Sequence, residues 1–86
     1  MKHKLVLIEW EDSAQPTSAW QFRDDVKPAI VRIQSVGWLI KDGKQIKALA
    51  PNVGGIDRKV AVQVSGVISI PTRCVVSVTP LQAVEP

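Results

Sequence analysis

The 86-residue sequence has no tyrosine, one phenylalanine, one cysteine and one histidine, and each scarcity excludes a chemistry. Cys74 alone forms no internal disulfide, so stability must come from packing or from association between copies, which suits a reducing cytoplasm. Within "PTRCVV" that thiol reads as buried and inert. His3 alone, near the start, leaves neither a Ser-His-Asp triad nor a histidine-based metal site to assemble within one copy. The adjacent carboxylates Glu11-Asp12 and Asp24-Asp25 lie in polar sequence and read as solvated charges. Gly54-Gly55 lacks the glycine spacing and following lysine of a phosphate loop. The chain therefore reads as non-enzymatic and without a cofactor.

Long apolar runs are missing too. No stretch approaches the roughly 20 residues that cross a bilayer, so no membrane partner is expected. "MKHKLVLIEW" starts like a signal peptide, but its apolar run covers only Leu5 to Ile8 and no small-residue cleavage site follows. Export is not expected, and the cytoplasm is the expected location. Charge of one sign is also scarce: the net charge is +3. Residues 1–43 balance six Lys or Arg against six Asp or Glu, whereas residues 44–86 carry five against two. That excess is too small to wrap duplex DNA, where many phosphates are neutralised, but it suffices for one small anion.

What is present is a series of short β patterns over one domain of residues 1–86. "HKLVLIEW" is rich in branched and apolar residues, and its alternation puts Val6, Ile8 and Trp10 on one face. Next comes a long polar loop containing Pro16 and Pro28, in which Thr17 or Ser18 is placed to cap a short helical turn ending before Lys27. Asp42-Gly43 between apolar runs signals a two-residue hairpin turn. The strand before it changes phase near Gly37, from Val31 and Ile33 to Val36, Trp38 and Ile40, which predicts a bulge or bend. Its partner runs through Ile46, Ala48 and Ala50 and ends at Pro51; "NVGGIDRK" reads as a loop. A second bent strand runs from Val60 across Gly66 to Ile70. "PTRC" makes a tight turn, "VVSVTPL" a last strand, and residues 82–86 a frayed tail.

These patterns predict an all-β fold, a small open five-stranded barrel of the SH3-like or Sm-like kind with a long polar loop after the first strand. A plain five-stranded meander is the other solution. Exposed edge strands in so small a barrel favour pairing between copies, so a homo-oligomer is expected.

The tryptophans carry the main site expectation. Trp38, in the middle of "SVGWLI", reads as core. Trp10 and Trp20 flank the polar loop, either stapling its ends to the barrel or offering rim faces on which a base stacks, worth about 1 to 3 kcal/mol each. Asp12 and Ser13 stand beside Trp10 with hydrogen-bonding groups for a base edge. Asn52, Arg58, Lys59 and Arg73 are expected across the barrel mouth as donors to phosphate.

The ordered set "WEDS", a second tryptophan ten residues on, "SVGWLI" and "IPTRCVVSV" spans about Ile8 to Val78. It resembles a group of very small phage-encoded proteins in which W-x-D-S opens the chain, S-V-G-W follows and I-P precedes a short final strand. The resemblance implies a phage β-barrel protein, and small phage proteins of this kind often counter host defence. By that analogy the expected function is an oligomeric sponge that sequesters a cyclic nucleotide immune signal in the host cytoplasm. Trp10, Asp12 and Ser13 would then be stacking face, base-edge acceptor and donor, with Arg73 on phosphate. The alternatives are a small inhibitor or adaptor that covers a host protein through a barrel edge or the loop from Glu11 to Lys27, and a minor virion component.

Overall fold

A computed structural model describes residues 3–58 and 61–84. Seven strands follow one another: β1 (Lys4–Ser13), β2 (Ile30–Asp42), β3 (Ile46–Ala50), β4 (Asn52–Gly54), β5 (Gln63–Ser65), β6 (Ile68–Pro71) and β7 (Val75–Pro80). Single 3-10 turns occupy Arg23–Asp25 and Thr72–Cys74. The strands form a five-stranded antiparallel sheet in the order β6-β3-β2-β1-β7 and a two-stranded ribbon, β4-β5. The fold is all-β, as expected, and no helix among the described residues is long and apolar enough to cross a membrane.

The connection between the sheet's two edges shows that the sheet is curled. In a flat sheet of this order the end of β6 and the start of β7 would lie four strand spacings apart, about 19 Å. The four residue steps from Pro71 to Val75 reach at most about 14 Å. The sheet must therefore fold over on itself, and because β6 and β7 do not pair, it stays open between them.

β1 supplies one wall of the core, burying Val6, Ile8 and Trp10 on one face. Leu49 of β3 and Ile70 of β6 complete the buried cluster, with Ile33, Leu39, Ile68 and Val75 packed against it. β1 and β2 keep one register over ten pairs, from Lys4 opposite Leu39 to Ser13 opposite Ile30. Directly opposite residues share a face, so Gly37, Ser35 and Ile33 of β2 lie with Val6, Ile8 and Trp10 on the core side. Gly37 is required there. A Cβ on it would stand 2.7 Å from the Ala50 carbonyl oxygen and 3.0 Å from Leu49 Cγ, because β3 crosses close above it.

The same register corrects the reading of Trp38 as core. Trp38 lies opposite Leu5, on the face turned away from Val6 and Ile8, and is only half-buried. The phase change near Gly37 is thus a switch between faces of a strand whose pairing with β1 never slips. The bulge falls farther along, at Ile40, where the β2-β3 register shifts between Leu39 and Lys41.

Other local expectations are met or adjusted. Asp42-Gly43 does introduce a hairpin, but its loop is three residues, Gly43 to Gln45, closed by Gly43 N–H donating to the Ile46 carbonyl (3.0 Å). The carbonyl of Ile46 would meet a Cβ on Gly43 at 2.7 Å, which explains that glycine. "NVG" is strand β4 rather than loop, because it continues β3 beyond Pro51 and pairs with β5 in the register that β3 keeps with β6. Gly66 adopts φ +72 where the ribbon bends, and a Cβ there would press on Pro51 Cγ at 2.9 Å. The helical turn of the long loop starts at Arg23, while Thr17 Oγ1 accepts from Ala19 N–H (3.1 Å) in a local turn. Cys74 is half-buried rather than buried. The expected strand start at Val60 and the end of the tail, Glu85 and Pro86, fall outside the described residues.

Candidate functional site

The 3-10 turn Thr72–Cys74 leaves β6 and runs beside the β2-β3 loop. Thr72 ties the two together twice, its backbone N–H donating to the Gln45 carbonyl (2.9 Å) and its hydroxyl to the Gly43 carbonyl (2.9 Å). These bonds hold Arg73 next to Lys44. Together with Gln45, Ile46 and Pro71 they line an open groove of about 520 Å³. Both cations are exposed, and neither has a carboxylate partner among the described residues. Lys47 and Arg32, by contrast, are engaged by Asp42 and by Glu9 and Glu11 respectively. Lys44 and Arg73, on a groove that Gln45 also lines, can hold a phosphate by charge-assisted hydrogen bonds.

Of the residues expected at a binding site, only Arg73 lines this groove. Trp10 is corrected from a rim position to the core: it is 8% exposed, and its indole N–H donates to Ser35 Oγ (3.1 Å). Its ring is enclosed because β1's buried face lies under β3 and β6, so it presents no face to a ligand. Asp12 and Ser13 are exposed at the far end of β1, where Ser13 N–H donates to Asp12 Oδ1 (2.7 Å). Asn52 sits on β4 opposite Ser65, and Arg58 in the loop beyond β4; both are exposed. Lys59 lies outside the described residues. The expected set is therefore divided among the arm that ends β1, the β4-β5 ribbon and the 3-10 turn.

Trp20 is the opposite of Trp10, 102% exposed on the loop of residues 14–29. Phe22, 83% exposed, stands two residues on, and the two aromatics share a shallow hollow with Gln21 and Asp25. No residue of the adjoining 3-10 turn is buried. Sequence reasoning missed Lys44 and Phe22. "KDGK" marks Lys44 as the residue after the hairpin glycine, and Phe22 is the chain's sole phenylalanine. Among the described residues no three His, Cys, Asp or Glu side chains gather as a metal would require.

Comparison with protein-family models, curated proteins and solved structures gives no match.

Proposed function

We propose that this chain is a non-enzymatic binding protein of phage type, built on an open SH3-like or Sm-like barrel, that works as a homo-oligomer and sequesters a small phosphate-bearing nucleotide. The host cytoplasm is its place of action, and a cyclic nucleotide immune signal is the ligand class. The observation that carries the reading is the convergence of Lys44 and Arg73, both without acidic partners among the described residues, on one groove fixed by Thr72. The groove is open and shallow, so a base of the ligand would rest on Ile46 and Pro71 rather than between aromatic rings. This replaces Trp10 by Lys44 in the binding set and keeps Arg73.

Titration calorimetry with a cyclic dinucleotide tests it. Wild type is expected to bind, and Lys44→Ala/Arg73→Ala to bind at least about tenfold more weakly, with an unchanged circular-dichroism spectrum, since losing even one hydrogen bond to a charged group costs about 1.5 to 3 kcal/mol. Unaltered binding by the double variant would remove the groove as the site. A second reading, a small inhibitor or adaptor docking on a host protein through the loop from Glu11 to Lys27, is favoured by the exposure of Trp20 and Phe22. It predicts a stable complex with a host polypeptide and no response to nucleotide.

A further inference from the structure

The chain is far more extended than its size requires. Its radius of gyration is 17.1 Å, against about 12 Å for a compact chain of this length. Its accessible surface is 7333 Å², against about 5,000 Å² for a folded monomer of this mass. The excess, roughly 2,300 Å², is well above the 800 Å² or so that each partner buries in a standard interface. One chain thus carries enough surplus surface for two neighbours.

Two regions account for much of it, and they are complementary. The first is the arm of residues 14–29. Sixteen residues long, it holds Trp20 and Phe22 in solvent and buries nothing in its own 3-10 turn. A loop of that length without a core of its own needs an outside contact to offset its ordering entropy. The second is the outer face of β1 and β2, where register sets Leu5 opposite Trp38 and Leu7 opposite Val36. These four apolar side chains look away from the core, and Val36 is 53% exposed. In this structure the arm does not cover this face of its own chain: Trp20 and Phe22 stand in solvent, and the arm leaves the sheet at Ser13 and Ile30, eight residues and about 26 Å of strand from Leu5 and Trp38.

We propose that the arm of one copy seats Trp20 and Phe22 on the Leu5-Leu7-Val36-Trp38 face of a second copy. Every copy then gives an arm and receives one, and the assembly closes as a reciprocal two-fold pair or as a ring. This rests on the homo-oligomer of the proposed function and names its interface. The contact brings together two tryptophans, Trp20 and Trp38, the residue type enriched at binding hot spots.

Complementation tests it, with masses read by native mass spectrometry and light scattering. Wild type is expected as a discrete closed oligomer. Trp20→Ser/Phe22→Ser, which lacks the donor, and Val36→Glu, which lacks the acceptor, are each expected as folded monomers, with apparent dissociation constants raised at least about a hundredfold. Neither alters a core residue. Mixed together, the two variants are expected to form a 1:1 dimer, because one retains a free face and the other a free arm. A monomeric wild type at 100 µM or so, a variant that keeps the wild-type mass, or a mixture that stays monomeric would each overturn the proposal. Nucleotide binding by a monomeric wild type would sink this interface alone, whereas a correctly complementing oligomer that ignores nucleotide would sink the groove alone.

Discussion

Trp10 and Trp20 are ten residues apart on one continuous segment, yet one is enclosed and the other stands entirely in solvent. The difference lies in what crosses above them. Trp10 belongs to the inner half of the β1-β2 hairpin, onto which β3 and β6 fold, and its indole N–H finds a hydroxyl on Ser35. Trp20 lies past the outer half, where the hairpin has left the sheet's other strands and nothing of the same chain covers it. The face of this stretch turned away from Trp10 is held by charge instead: Arg32 donates to Glu9 Oε2 (3.2 Å) and Glu11 Oε1 (2.9 Å), and Gln34 to Glu9 Oε1 (3.2 Å). Residue type therefore does not assign a tryptophan's job; position along the hairpin does.

The contrast can be broken by experiment, working from the core outward, with chemical denaturation of dilute protein as the readout. Trp10→Ala is expected to cost about 3 to 5 kcal/mol, the range for truncating a buried aromatic, and to lower the denaturation midpoint drastically. Gly37→Ala should cost about 1 to 3 kcal/mol, because the Ala50 backbone must retreat to admit the methyl group. Arg32→Ala, which removes the charge pairs on the face opposite Trp10, should cost about 0.2 to 1 kcal/mol and less at high salt, since these pairs are partly exposed. Trp20→Ser is expected to change the stability of the dilute chain by less than about 0.5 kcal/mol. An effect of Trp20→Ser as large as that of Trp10→Ala would mean that the arm packs on its own core, and the contrast would fail.

Much of the architecture was legible because it is written in local signals. Alternation set Val6, Ile8 and Trp10 on one face, Pro51 ended β3, Gly66 marked a bend, and "PTRC" gave the one-turn link to the last strand. Alternation could not say which face is inside, however. That depends on where β3 and β6 come to lie, and it misassigned Trp38, which shares its strand with the core residues but points the other way. The site was half legible for a related reason. Arg73 stood out as a cation in a turn, but its neighbour Lys44 is 29 positions away and is brought beside it only by the two bonds from Thr72. Asp12, Asn52 and Arg58 were assigned to one mouth, whereas Asp12 stands at the end of β1 and Asn52 and Arg58 belong to the β4-β5 ribbon and its loop.

The pairing of β1 with β7, Val6 opposite Pro80, also dictates how the molecule comes into being. β1 finds one of its two neighbours only when β7 has been made, and Leu81 N–H still donates to the Leu5 carbonyl beyond that strand (2.9 Å). Such non-local closure places the chain among slow folders, on the order of milliseconds to seconds. A nascent chain can form the β2-β3 hairpin early, but it carries an unsatisfied β1 edge until β7 is free to pair. Arresting translation a few residues short of Pro80 should therefore leave a protease-sensitive chain, and release of those residues should be the step that makes it resistant.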